Sequence, residues 1–408
     1  MAEKKIGNAG KRGSKVRSDC YIEIELKKSG GLKIDLKSKV DSMFGDSIRK
    51  EVIKMSEFFG LKNADILIED SGALPFTLGA RFELAIKKLF PEIDKEYLPE
   101  FNKKNKYKTT KERLRRSRLY LPGNEPKFYP NAGLHKPDGI ILDLEDSVSP
   151  TEKEAAQLIV RNALRSIDFY GSERMVRINQ LPKGLDDLKF IVPQNVHVIL
   201  IPKVESADQI KEVEKNVESL KKEFNVKNDI YFMPIIESAL GVIKSYEIAS
   251  ASKYNCALAV GLEDYTADIG VERTNEGKES IFARSMIVNA AKAAKIQAID
   301  TVFSDVSDME GLRISVLEAK SLGFEGKGCI HPRQVKVVNE TFLPTESEIE
   351  KAKKIVVAFE EAEAKGLGVV SIGSKMIDAP VVKRARRIVR LAEENKLLKK
   401  NWREVMER

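Results

Sequence analysis

The chain begins with short alternating runs. In Tyr21–Leu26, Ile22, Ile24 and Leu26 share one face and Glu23 and Glu25 take the other; Leu32, Ile34 and Leu36 repeat the alternation after Ser29-Gly30-Gly31. A period of two belongs to a half-buried strand, so these runs predict two strands joined by a turn. Ile48, Val52, Met55 and Phe59 then fall at helical spacing, Ile66–Ile68 reads as a short strand, and Leu78–Leu89 as a second helix. The first ninety or so residues form a small α+β module on this reading.

The pattern changes after residue 115. Apolar runs recur at Arg118–Leu121, Gly139–Leu144, Met175–Ile178, His197–Ile201, Tyr231–Ile236, Ala257–Val260, Ala298–Phe303 and Gly328–Ile330, separated by amphipathic stretches of helix length. Strands alternating with helices imply right-handed βαβ units and a parallel sheet. Eight such units predict a closed (β/α)8 barrel; a doubly wound open sheet is the runner-up, but no Gly-rich phosphate fingerprint follows the first strand. Beyond Pro332, Glu346–Ala364 is helix-like, Gly366–Ser374 is a Gly-rich break, and a basic helix runs to about Leu398. The expected organisation is a module over 1–90, a linker over 91–114, a barrel over 115–335 and a helical lid or oligomerisation arm over 336–408.

Charge sharpens this picture. The net charge of +8 lies in the N-terminal part: residues 1–115 hold 26 Lys and Arg against 18 Asp and Glu, and the remainder has 44 of each. The excess gathers in Lys4–Arg17 and Lys103–Arg115, which read as a solvated tail and a linker. Without aromatics interleaved on a folded face they do not suggest a nucleic-acid surface; a phosphate-rich small ligand or an acidic partner is the sharper alternative. No stretch approaches 18 consecutive apolar residues, and Met1–Lys15 has no apolar core of a secretory signal, so a cytoplasmic, non-membrane protein is expected. Cys20, Cys256 and Cys329, like His135, His197 and His331, lie far apart. Any metal would therefore be held mainly by carboxylates, which favours magnesium or manganese.

The strand exits carry the candidate chemistry. Asp143-Leu144-Glu145-Asp146, Arg177-Ile178-Asn179, Pro202-Lys203, Glu237-Ser238, Glu263-Asp264 and Ser304-Asp305 each end or follow a predicted strand. In such barrels the C-terminal strand ends form one mouth, so ionisable groups at six exits converge there.

At these residues the chain resembles the citrate lyase β-subunit (HpcH/HpaI aldolase/citrate lyase) family. The matching stretches are Arg116–Asn124, Leu142–Val148, Val176–Asn179, Ile201–Lys203, Ile235–Ser238, Gly261–Tyr265, His331–Gln334, and Gly368–Ser371 with Met376–Asp378. The N-terminal module resembles the citrate lyase γ-subunit acyl carrier protein, through Asp19–Leu26, Phe44–Arg49, Gly72–Leu74 and Ala80-Arg81. In that carrier a serine two residues before the aspartate bears a CoA-derived group (phosphoribosyl-dephospho-CoA). Here that position is Arg17, and Ser18 and Ser14 are the candidate attachment points.

The resemblance implies a magnesium-dependent carbon–carbon lyase that splits a citryl or citramalyl thioester into a 2-oxoacid (oxaloacetate or pyruvate) and an acetyl thioester. It makes Glu237 and Asp264 the metal ligands, with helix capping the competing reading. It gives Arg177 to the oxoacid, against a structural salt bridge, and sets Glu145 and Asp146 around the metal-bound waters. Lys203 is a substrate-side cation or a structural ion-pair partner, and Arg116 a contact to thioester phosphates or a surface residue. Asp378 handles the proton on the acetyl carbon, supplied by a neighbouring subunit, or simply caps the helix opened by Ala379-Pro380. The implied partners are a small thioester, further copies of the chain (a trimer) and a citrate lyase α-subunit-like transferase. Two alternatives stand beside this: a malyl- or citramalyl-CoA lyase using free acyl-CoA with a vestigial carrier module, and a non-catalytic scaffold.

Overall fold

A computed structural model describes residues 5–364, 366, 369–372, 375–399 and 401–403. The chain divides into two compact units, Met1–Val338 and Asn339–Arg408.

The first unit opens with the α+β module: β1 (Ile6–Gly10), β2 (Cys20–Leu26), β3 (Leu32–Ser38), α1 (Asp41–Phe59), β4 (Ala64–Asp70) and α2 (Pro75–Leu89). The sheet order is β1-β2-β4-β3, with β3 parallel to β4 and the other pairs antiparallel. Two expectations are corrected. The runs at Tyr21–Leu26 and Leu32–Leu36 are strands, but β4 lies between them, because a strand buried as Ala64, Ile66, Ile68 completes the apolar face that Ile22 and Ile24 begin. The supposed tail Lys4–Arg17 contains β1, paired to β2 from Ile6↔Glu25 to Gly10↔Tyr21.

The barrel follows as β5 (Ser117–Pro122), β6 (Gly139–Asp143), α3 (Lys153–Ser166), β7 (Glu173–Arg177), α4 (Gly184–Ile191), β8 (Val198–Ile201), α5 (Ala207–Glu223), β9 (Tyr231–Ile236), α6 (Ala239–Ile243), α7 (Ser245–Ser250), β10 (Ala257–Val260), α8 (Leu262–Asp268), α9 (Ile281–Ala293), β11 (Gln297–Asp300), α10 (Met309–Leu322) and β12 (Gly326–Cys329). All eight strands are parallel and close as β5-β6-β7-β8-β9-β10-β11-β12. Ile141, Met175, Val198, Leu200, Met233 and Ile299 pack together as buried core. This packed interior fixes the strands, and the strands aim the residues at their ends.

Residues 91–114 contain little regular structure, yet they are tied down. Asn102 N donates to Arg165 O at 2.7 Å, Tyr107 Oη to Ser172 O at 2.6 Å, and Arg115 forks onto Glu173 with both side chains fully buried. The segment is therefore held against the barrel. The module is also clamped to α3: Arg161 donates to both Glu83 oxygens at 2.7 and 2.9 Å and to Glu96 at 2.9 Å, and Asn162 donates to Phe76 O at 3.1 Å. Helix α2 is buried on nearly all sides because it serves two faces, the module's sheet and α3.

Helix α11 (Pro332–Phe342) runs past the boundary between the units. The second unit holds α12 (Glu346–Ala364), a hairpin of β13 (Val370–Ile372) and β14 (Lys375–Ile377), and α13 (Ala379–Glu394). The helix-like stretch and the basic helix are where the pattern put them, whereas part of the Gly-rich break forms the hairpin. Val356, Phe359, Val382, Ala385, Val389 and Trp402 form this unit's own core.

Candidate active site

The strand exits meet at the barrel mouth. Asp143 ends β6 and Arg177 ends β7; Lys203 and Glu237 follow β8 and β9, and Asp264 lies in the first turn of α8. Arg177 Nε and Nη2 fork onto Asp143 at 2.7 and 2.8 Å, and Nη1 reaches Glu145 at 2.8 Å and Asp146 at 3.7 Å. Lys203 Nζ stands 3.4 Å from Glu145, 3.6 Å from Asp146 and 3.6 Å from Asp264, while its backbone N–H donates to Glu237 at 2.9 Å. One cationic residue thus gathers four carboxylates. Its backbone is left-handed, with φ 51, which bends the chain so that amide and ammonium face the same cluster. Glycine at 261 is required for a related reason: a Cβ there would lie 2.4 Å from Glu237 Oε1.

The electrostatics follow from burial and crowding. Burial pushes the Glu237 carboxyl up to about 8, and the neighbouring Glu145 charge adds to this against the Lys203 N–H. Burial likewise raises Glu145 to about 7, with Arg177 opposing and Asp146 reinforcing. Both Glu145 oxygens are buried without an aligned hydrogen-bond donor among the described residues, despite the close cations. For Asp143, burial is outweighed by the Arg177 fork, which holds its carboxyl below the usual range. Lys203 is only partly buried, and its three acidic neighbours overcome the desolvation and raise it.

Asp305, expected at the seventh exit, lies past the end of β11 and accepts from Ser307 Oγ at 2.6 Å. Arg177, Glu145, Asp146, Lys203, Glu237 and Asp264, also singled out from the sequence, join the cluster at the mouth. Arg116 does not. It precedes β5, at the opposite end of the barrel, where its Nε and Nη2 bind Asp138 at 2.8 and 2.9 Å; the expected substrate contact is corrected to this ion pair. Asp378 belongs to the second unit, and there its Oδ1 accepts from Val381 N at 3.2 Å and caps α13. Ser14 is exposed at the turn between β1 and β2; Ser18 is half-buried, with φ 52 and its N–H bound to Ser71 O at 2.9 Å. The sequence reading set Asp143 at a strand exit but gave it no role, although its register is inward: in Gly139, Ile141, Asp143 every second residue of β6 faces one way. It also missed Arg118 and Tyr120, which with Asp143, Arg177, Glu237 and Asp264 line a cavity of about 280 Å³.

The donor set can be tested against a metal. Among the described residues no three His, Cys, Asp or Glu side chains are grouped to hold an ion on their own. Glu237 and Asp264 offer two carboxylates beside the crowded, unsatisfied Glu145. Two carboxylates with open space suit a hard cation that keeps waters and takes ligands from substrate, so the residues fit magnesium and would not fit a metal needing a full protein cage.

Comparison with known proteins finds family matches for both the barrel and the module. Residues 116–332 match the family model described as HpcH/HpaI aldolase/citrate lyase, and residues 8–89 match that of the malonate decarboxylase delta subunit, an acyl carrier protein type. The chain is 43% identical to the citrate lyase subunit beta of Leuconostoc mesenteroides subsp. cremoris, over 70% of this chain and 96% of that protein. It is 33% identical to the mitochondrial citramalyl-CoA lyase of Mus musculus, over 68% and 86%. The CitE protein of Mycobacterium tuberculosis, solved in complex with magnesium, acetoacetate and coenzyme A, superimposes with a TM-score of 0.58 at 27% identity, over 69% of this chain and 99% of that one. The chain belongs to the HpcH/HpaI aldolase/citrate lyase family, as a carbon–carbon lyase of the citrate lyase β-subunit type.

Proposed function

We propose that this protein is a magnesium-dependent lyase that cleaves a citryl or citramalyl thioester into a 2-oxoacid and an acetyl thioester. The observation that carries the reading is the convergence of Glu237, Asp264 and Arg177 on one cavity at the barrel mouth, with Glu145 held 2.8 Å from Arg177. Glu237 and Asp264 would hold the ion, which when bound polarises the oxygens of the oxoacid half as a Lewis acid. Arg177, fixed by Asp143, presents a charge and a planar fork to the oxoacid carboxylate. Glu145, with its carboxyl near 7, receives the hydroxyl proton as the carbon–carbon bond breaks. The bonding electrons pass to the acetyl carbon, and Asp378 of a neighbouring copy in a trimer returns a proton to it. The second unit serves as a lid or an oligomerisation arm, and an α-subunit-like transferase exchanges the acyl group.

The carrier end is taken to be Ser14, because attachment needs an accessible hydroxyl and Ser14 is exposed where Ser18 is half-buried. The reading in which free acyl-CoA is used has its own support, since Arg17 occupies the expected serine position and the module is clamped to α3. The domain boundaries proposed from the sequence go with either reading, as does a cytoplasmic location; no helix of the described residues is long and apolar enough to cross a membrane.

The test is Glu237→Gln and Asp264→Asn in the full-length protein. Loss of magnesium-dependent cleavage with unchanged circular dichroism is expected, and unchanged turnover in both variants overturns the metal assignment. Intact-mass spectrometry separates the two thioester readings: an added prosthetic mass that Ser14→Ala removes selects the tethered arm, and an unmodified mass selects free acyl-CoA.

A further inference from the structure

We propose that Arg118 is a second carboxylate-binding guanidinium, at the inner end of the active-site cavity, and that it selects an oxoacid half with a second carboxylate over one with a methyl group there. The proposal rests on the lyase reading above and names the substituent that this site prefers.

Arg118 is the second residue of β5 and is 1% exposed. It lines the same cavity as Arg177 and Glu237. Its Nη1 donates to Met233 Sδ at 3.1 Å and its Nη2 to the Asp300 carbonyl at 3.4 Å, while Nε is buried with no acceptor among the described residues. Arg81, Arg115 and Arg161 are as deeply buried, and each forks onto a carboxylate: Asp19, Glu173 and Glu83. Arg118 has none. The nearby Asp300 carboxylate is spent on Arg284, at 3.2 Å to each oxygen, and on Lys327 at 2.6 Å. Two further cations, Arg284 and Lys327, thus share the Asp300 carboxylate, which leaves it no hydrogen bond to Arg118 among the described residues.

The surrounding strands make room for this side chain. Arg118 is in register with Gly328 of β12 on one side and Gly139 of β6 on the other. A Cβ at Gly139 would lie 2.5 Å from Met175 Cε and 3.6 Å from Arg118 Cγ; one at Gly328 would lie 2.7 Å from Val302 Cγ1 and 3.3 Å from Tyr120 Cε2. Gly328 and Ala259 also line the cavity, beside Tyr120, Ile235 and Val302.

A buried cation without an anion is costly, and a planar carboxylate is the partner that its fork fits. A carboxymethyl substituent supplies that partner when the other end of the oxoacid lies at Arg177. A methyl group would leave the guanidinium unpaired, and a site built for a polar group rejects an analogue lacking it.

The experiment is calorimetric titration of the full-length protein with oxaloacetate and with pyruvate, in magnesium, for wild type, Arg118→Met and Arg118→Lys. The wild type is expected to bind oxaloacetate the tighter. Arg118→Met should cut that preference about 10- to 100-fold while leaving pyruvate affinity unchanged, from the worth of a charged hydrogen bond. Arg118→Lys keeps the charge but loses the fork, and should fall between; it carries the same comparison if Arg118→Met does not fold. An unchanged preference in the folded variants, or an equal loss for both acids, overturns the role of Arg118. Binding of neither acid by the wild type overturns the lyase reading itself.

Discussion

Arg177 and Asp143, at the ends of adjacent strands, are joined by a two-point fork, Nε to Oδ1 at 2.7 Å and Nη2 to Oδ2 at 2.8 Å. The pairing sets the plane of the guanidinium and leaves Nη1 for Glu145. Asp143 therefore acts as a positioning residue. Asp143→Asn should keep the fold and lower kcat by about 10- to 100-fold, the usual worth of an orienting partner. The loss should appear in kcat more than in magnesium affinity. Equal losses in both would show that Asp143 serves the metal rather than the arginine.

Magnesium binding should be linked to protons. With its carboxyl raised to about 8, Glu237 is mostly protonated at neutral pH in the metal-free protein and must give up that proton to become a ligand. Affinity should weaken as pH falls through about 8, approaching tenfold per unit below it. Calorimetric titrations in two buffers of different ionisation enthalpy measure the released proton directly. An affinity that is flat from about pH 6 to 9 would contradict the assignment.

The buried clamp between the module and α3 is a stability device of the intact chain. Glu83→Ala leaves the fully buried Arg161 with only the partly exposed Glu96 as an acid partner. Removing one member of a buried pair costs about 3–5 kcal/mol. The urea midpoint should fall accordingly, and the double variant Glu83→Ala/Arg161→Met should recover much of the loss.

His197 supplies an acid-sensitive element below the barrel. Burial, with Arg174 beside it, lowers its pKa to about 3, so the folded protein keeps the ring neutral. The unfolded chain takes up that proton near the ordinary value of about 6.5. Stability from this site is full above about 6.5 and is lost as pH falls toward about 3. Thermal melts of His197→Gln should lose part of the wild type's decline over that window; identical slopes would remove His197 as a contributor.

The sequence by itself determined the eight barrel strands and the residues that end them. Period-two and short apolar runs are local consequences of burying one or both faces of a strand, and they are written in consecutive residues such as Tyr231–Ile236. Glu145, Asp146, Arg177, Lys203, Glu237 and Asp264 were legible for the same reason, since each lies at or just after the exit of its strand and closure of the barrel brings all exits together. Only the tertiary structure decided what these groups meet. The placement of β4 between β2 and β3, the docking of 91–114, the pairing of Arg116 with Asp138 away from the mouth, and the pairing of Asp300 with Arg284 and Lys327 beside Arg118 all depend on contacts between residues distant in the chain. Such contacts are set by side-chain packing and by which charges remain once buried partners have paired, and neither has a signature in local spacing.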